Sequence, residues 1–253
     1  MALYILHQIV QASRRGIPIL IDAERKRDGL DELLSFANYV VCSAKFPQIW
    51  TEASSPAKAL LSIMLRLPKL KFVIVTLGEE GCVMLERWLN KAPDSVEMDI
   101  EELLESLKWN ISDDSTTPSC VSSSVMNLRA DGVGMLCGRL HVGTSEKIPP
   151  SELVDTTGAG DAFTGGENLF KHRVHRKQPS CSSGLNKYFV DIIAGDFVAL
   201  CADMPPERML PFAAQVAACG CRGLGARSSL PHRSDPRLAP YLMEGSKIAA
   251  TML

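Results

Sequence analysis

Three short apolar runs constrain the fold more than anything else in this chain. They are "IPILIDAE" from Ile17, "NYVVCS" from Asn38 and "KFVIVTLGEEG" from Lys71. Each is too short for a stable helix and carries β-branched residues, so each is expected to be a buried strand. Helical patterns alternate with them. Residues 2–14 place Leu3, Leu6, Ile9 and Val10 on one face, and Gly16 and Pro18 end that pattern. "LDELLSFA" forms a second short helix, and residues 56–67 a third, stopped by Pro68. "CVMLER" supplies the next strand. The order β-α-β-α-β predicts an α/β protein with a doubly wound sheet flanked by helices.

Composition narrows the class. Of 253 residues 46% are hydrophobic, which excludes a disordered chain. A net charge of −2 argues against a general nucleic-acid binder. The eight cysteines include no Cys-x-x-Cys pair, which argues against a zinc ribbon and for free thiols in a reducing compartment. The N-terminus lacks the basic segment and continuous apolar run of a signal peptide. No apolar run reaches the ~18 residues of a membrane span. The expectation is a cytoplasmic protein with no membrane partner.

The alternation breaks after residue 91. Residues 92–126 hold an acidic helical pattern and then a Ser/Thr/Asp-rich run, and 171–184 are basic and polar; both are expected to be surface insertions. "GVGMLCGRLHVG" has the pattern of a hairpin. Two further helices are expected at about 187–201 and 207–221. No repeat or linker divides the chain, so residues 1–253 are expected to form a single domain. His172 and His175 lie among Lys171, Arg173, Arg176 and Lys177, which favours a solvated segment over a metal pair. Cys219 and Cys221 are expected at a buried helix end. A plain loop is favoured over phosphorylation sites for Ser122–Ser124.

The chemistry concentrates in "VDTTGAGDAFTGG", Val154 to Gly166. Small residues let backbone amides approach an anion closely, and a helix starting near Gly160 adds free N–H groups and a favourable dipole. An acid in such a cradle repels phosphate unless it has a task. Asp161 either caps the helix or accepts a proton from a hydroxyl that attacks phosphorus. No Gly-x-x-x-x-Gly-Lys-Ser/Thr occurs, so this is not a P-loop. Phe163 stands where the dinucleotide fingerprint needs its third glycine.

"DTTGAGDAF" resembles the C-terminal signature of the ribokinase-like, or PfkB, family of sugar and nucleoside kinases. "VTLGEEGCVML" from Val75 and "FAAQVAACGCRGLGARSSLP" from Phe212 resemble that family's nucleotide strand and late helix-loop. The order of elements from Gly16 is similar to ketohexokinase-like members. The resemblance covers about residues 1–90 and 130–235. It implies an ATP-dependent carbohydrate kinase using Mg2+. Asp161 would be the general base, with the amides of Gly158, Ala159 and Gly160 as anion hole. Thr76, Leu77, Gly78, Glu79, Glu80 and Gly81 would line ATP, with Ala214 and Gln215 near the adenine. Many members hold a monovalent cation. K+ would here meet Asp155, Thr157 and the loop of Gly220, Gly223, Gly225 and Ser229, unless Asp155 simply braces its own turn. A small sugar would be the other partner. Members often dimerise, so a homo-oligomer is a further expectation.

Two departures bear on this. The family's Asn-x-x-Glu, which organises Mg2+, is replaced by Cys42-Ser43-Ala44-Lys45-Phe46, so no magnesium ligand is assigned. By the same resemblance the chain starts in the middle of the fold, N-terminally truncated and without the sugar-binding half. An inactive nucleotide-binding scaffold descended from such a kinase, and a nucleoside kinase, therefore stay open as alternatives.

Overall fold

The computed structural model describes residues 2–89, 96–111, 116–164, 203–225, 228–232 and 234–242. They divide into two compact units. Unit 1 comprises residues 1–77, 81–112 and 121–142, and unit 2 comprises 78–80, 113–120 and 143–253.

Unit 1 carries a mixed sheet. Helix α1 (Ala2–Arg14) leads to β1 (Leu20–Ala23), α2 (Leu30–Leu34), β2 (Tyr39–Ser43), α3 (Phe46–Thr51), α4 (Pro56–Arg66), β3 (Phe72–Thr76) and β4 (Cys82–Arg87). Then come β5 (Glu97–Asp99), α5 (Ile100–Trp109), β6 (Cys120–Ser122), β7 (Met126–Ala130) and β8 (Gly134–Gly143). The strand order is β1-β2-β3-β4-β8-β7-β5, with β6 beside β8. β1, β2 and β3 are parallel, as the alternation predicts, and β4 returns antiparallel to β3. Phe72, Val73, Ile74 and Val75 are all buried, the mark of a strand covered on both faces.

Local chemistry sets the helix ends. The Ser55 hydroxyl accepts the Lys58 amide at 3.3 Å, and Pro56 opens α4 where its missing N–H costs nothing. The Asp99 carboxylate accepts the Glu101 amide at 2.9 Å and starts α5. The Arg66 guanidinium donates to the carbonyls of Thr51 (2.8 Å) and Trp50 (3.4 Å), tying the last turn of α3 to α4.

The structure differs from expectation in three places. Helix α3 was hidden behind Pro47, which suggests a break but sits harmlessly in a first turn. "GVGMLCGRLHVG" holds one long strand, β8, rather than a hairpin; β7 is one of its neighbours, with Met126 opposite Gly138 and Ala130 opposite Gly134. Part of the 92–126 stretch expected as a surface insertion lies inside the fold. β5 pairs parallel with β7, and Ile100, Leu103, Leu104 and Leu107 of α5 are buried at helical spacing. Their four apolar side chains outweigh the acidic residues between them, which face outward. Residues 171–184 and the helix expected at 187–201 lie outside the described residues.

Unit 2 is built around α7 (Pro206–Gly220), with α6 (Ala159–Thr164) packed on it and α8 (Ala239–Leu242) nearby. Met209, Leu210, Phe212, Ala213, Val216, Ala218 and Cys219 are buried. Phe212 meets Tyr241 edge-on with ring centres 6.1 Å apart, and Arg208 donates to the Tyr241 carbonyl at 2.7 Å. Cys219 and Cys221 are buried at the end of α7, as expected, and burial pushes both thiols up.

Ile100→Ala should cost about 2–5 kcal/mol of unfolding free energy, the usual range for emptying a fully buried site. Urea titration measures it. An unchanged midpoint would remove α5 from the core.

Candidate functional site

The signature segment occupies unit 2. Its backbone turns at Gly158, whose φ of 77° lies in the left-handed region that suits glycine. The Ala159 amide donates back to the Thr156 carbonyl at 3.1 Å, and the Ala162 amide donates to the Gly158 carbonyl at 2.8 Å. Helix α6 therefore starts at Ala159, two residues before Asp161. Asp161 is not the cap. It is exposed in the first turn, and its carboxylate has no hydrogen bond or ion pair to any described residue. Gly160 is exposed too, and a Cβ built there meets nothing within 4 Å. Of the three amides expected to form an anion hole, that of Ala159 is engaged in the turn.

Asp155 works differently. Its Oδ1 accepts the Thr157 amide at 2.9 Å and its Oδ2 accepts the Gly225 amide at 2.8 Å. One carboxylate thus fastens two distant turns. Hydrogen bonds from the Thr157 side chain, the Thr157 amide and the Gly225 amide, in that order, hold its carboxyl below the usual carboxylate range. The amides of Val154 and Asp155 donate to the Cys221 carbonyl at 3.0 and 3.2 Å. Asp155, Thr157 and Gly225 are therefore brought together. Gly223 packs against Ser229 so closely that a Cβ on it would lie 1.5 Å from the Ser229 hydroxyl oxygen. Gly220 is buried in α7, where an added Cβ would touch Ala162 at 3.6 Å. The donor set is hard oxygen, which suits an alkali cation. Both Asp155 oxygens already accept one amide each and keep lone pairs for a further partner.

The remaining expected residues divide between the units. Thr76 ends β3 in unit 1 and Leu77 follows it. The Thr76 hydroxyl donates to the Cys42 carbonyl at 3.3 Å, and the Leu77 amide donates to the Gly81 carbonyl at 2.8 Å, closing a loop. Gly78, Glu79 and Glu80 form an exposed 3-10 turn assigned to unit 2, where the Glu79 carbonyl accepts the Ser145 hydroxyl. Ala214 and Gln215 are buried in α7, and the Gln215 amide nitrogen is spent on Glu146 at 2.5 Å.

That contact belongs to a network the sequence did not reveal. The Arg222 guanidinium reaches Glu146 Oε1 at 2.6 Å and Oε2 at 3.0 Å, and Glu152 Oε2 at 2.8 Å. It also donates to the Ala218 carbonyl at 3.1 Å. The Glu146 bonds hold the guanidinium well above its ordinary range. A motif scan has no means of finding it, because the partners lie 70 and 76 residues apart. Among the described residues no three His, Cys, Asp or Glu side chains gather into a metal cluster, and no helix is long and apolar enough to cross a membrane.

No family model and no curated protein matches the sequence. Solved structures do match. A protein assigned as a ribokinase from Agrobacterium tumefaciens aligns at 17% identity over 99% of this chain and 52% of that one, with a TM-score of 0.52. A protein assigned as ribokinase II from E. coli aligns at 14% identity over 88% of this chain and 48% of that one, TM-score 0.50. The same E. coli protein in complex with ATP and Mg2+ gives the same figures. The chain has a ribokinase-like α/β fold, as expected from its sequence. It spans about half the length of the solved structures it matches.

Two measurements test the site. Asp155 has a lowered pKa in the folded state, so its stabilising effect is present above the usual carboxylate pKa of about 3.9 and is lost as pH falls through the lower folded value. The stability gap between wild type and Asp155→Asn should be constant near neutrality and shrink in acid; a gap that widens in acid would contradict the geometry. Gly223→Ala should destabilise by about 1–3 kcal/mol through overpacking on Ser229, read as a lower thermal midpoint.

Proposed function

We propose that this chain is part of an ATP-dependent kinase that phosphorylates a sugar hydroxyl, with both units belonging to one kinase domain. The observation that carries the reading is the state of Asp161. Asp155, Glu146, Glu152 and Asp235 are each committed to hydrogen bonds or ion pairs. Asp161 is exposed, without a partner among the described residues, and one helical turn from Gly158. A carboxylate in that state is free to take a proton from an attacking hydroxyl.

In this mechanism Asp161 Oδ accepts the hydroxyl proton as the oxygen attacks the γ-phosphorus, the bond from that phosphorus to the β–γ bridging oxygen breaks, and ADP leaves. The amides of Gly158, Ala159 and Gly160 donate to the phosphoryl oxygens as charge develops on them. Ala159 joins by exchanging its bond to Thr156 for one to the anion. Bound Mg2+ would supply charge neutralisation on the phosphates, and no residue of this chain is assigned to it. K+ suits the oxygen set around Asp155, where it would steady the Gly225 and Gly158 turns. Thr76, Leu77, Gly81, the 78–80 turn, Ala214 and Gln215 are assigned to nucleotide contacts by resemblance alone. The ATP and Mg2+ bound by the E. coli relative are consistent with this donor.

A second reading is a nucleotide-binding protein without catalysis. The Cys42–Phe46 stretch favours it: at the end of β2 the Cys42 thiol donates to the Ile74 carbonyl at 3.3 Å and Ser43 to the Glu24 carbonyl at 3.1 Å, and neither Asn nor Glu stands where the resemblance places the magnesium-organising Asn-x-x-Glu. The fold also suits a nucleoside acceptor in place of a sugar.

Saturating Mg·ATP should raise the thermal midpoint by several degrees, since ligand at about 100 times its Kd adds ~2.7 kcal/mol. In a form that turns over, Asp161→Asn should lower kcat by about 10²–10⁴-fold with ATP binding retained. Near-normal turnover in that variant would sink the mechanism, and ATP binding without transfer to any sugar or nucleoside would favour the second reading.

A further inference from the structure

We propose that Arg222 is the positioning residue of the Asp155 turn, a clamp that holds two chain segments in the register the phosphate loop needs. The importance of that register rests on the kinase reading above; the clamp itself does not.

The two segments are 146–155 and 218–225. Their backbone contacts are few: the Val154 and Asp155 amides on the Cys221 carbonyl, and the Gly225 amide on Asp155 Oδ2. Arg222 sits between those two points in sequence. Its side chain turns back across the gap and binds Glu146 through both terminal nitrogens and Glu152 through Nε. Side chains of Arg222 and Glu146 are only 16% and 14% exposed, so this pair is shielded, whereas Glu152 is 51% exposed. A planar fork that meets one carboxylate with two parallel bonds fixes direction as well as distance. Gln215 donates from α7 to Glu146 Oε2, the oxygen that also accepts Arg222 Nη1, so α7 holds the acid in place. The turn 221–225 is therefore held at its start by Arg222 and at its end by Asp155. Releasing the first should loosen the second, and with it the Thr157 amide on the other oxygen of Asp155.

Amide hydrogen exchange by NMR on the whole chain tests this without nucleotide. Arg222→Gln should speed exchange at the Gly225 and Thr157 amides by at least about tenfold, with the Val216 amide in α7 unchanged. Glu146→Gln should act in the same direction, and the double variant should add nothing to the larger single effect, as expected of one coupled unit. Arg222→Lys, which keeps the charge but not the fork, should recover only part of the protection. Unchanged exchange at Gly225 and Thr157 would overturn the proposal, and so would a rise shared equally by Val216, since that is general destabilisation. If Arg222→Gln does not fold, Glu152→Gln breaks the exposed arm alone; it should give a smaller rise at Gly225, and no rise would again overturn the clamp. A chain that failed to bind Mg·ATP while passing these tests would sink the kinase reading and leave the clamp standing.

Discussion

The two backbone hydrogen bonds accepted by Asp155 tie the signature turn to the turn at Gly225. Turns that pass through left-handed glycines, here Gly158 at φ 77° and Gly225 at φ 82°, leave amides pointing outward with no helix or strand to receive them. Water can satisfy such amides but cannot fix their direction. A carboxylate has two oxygens at a set separation, so it can satisfy one amide from each turn and define the spacing between them. An asparagine would offer one acceptor and one donor, and the donor would face an N–H. The acid at 155 is thus dictated by geometry before any chemistry is asked of it.

The two units are stabilised by different means. Unit 1 depends on apolar burial, with Val40, Val73, Leu85, Ile100 and Leu128 essentially inaccessible. Among its described residues the most deeply buried polar side chain is His141, with Nδ1 2.7 Å from the Ser122 hydroxyl and Nε2 3.4 Å from Glu86. Among the described residues of unit 2 the apolar side chains gather along α7, and directed polar bonds cluster around Arg222 and Asp155. Apolar packing tolerates small shifts, while hydrogen bonds between turns do not. The polar unit is the one that carries the signature loop, where tenths of an ångström would matter.

Much of this was legible in the sequence, and the reasons for the rest are physical. Strands β2 and β3 announced themselves because burial on both faces demands continuous apolar runs, and the edge strand β1 because its own run is short and apolar. Helix α4 did so because Ser55, Pro56 and Pro68 mark its ends. β5 and β6, of three residues each, are too short to show any period. Helix α5 was recognisable as a helix, but its place in the core depends on β7, which no local pattern specifies. In the site, the glycine turn and its acid could be read locally from "TGAGD". The commitment of Asp155 to Gly225, 70 residues on, could not. Arg222 looked like any other charged residue, because a clamp is defined by its partners and those are set by tertiary contact alone.

At 17% identity, likeness of fold carries no residue-level chemistry, so function has to be argued from what each side chain is free to do. Carboxylates are the informative group. One already bound by two amides or an arginine is a poor base, since its lone pairs are occupied and its affinity for a proton is reduced. Asp155 is in that condition and is suited to holding turns or a cation. The oxygens of Glu146 are likewise taken, by hydrogen bonds from Arg222 and Gln215. Asp161 stands in the same short segment, on the solvent side of α6, without such partners among the described residues. Within seven residues the chain thus places one acid that is spent on structure and another without a described partner, and that division of labour is what the proposed proton acceptor would require.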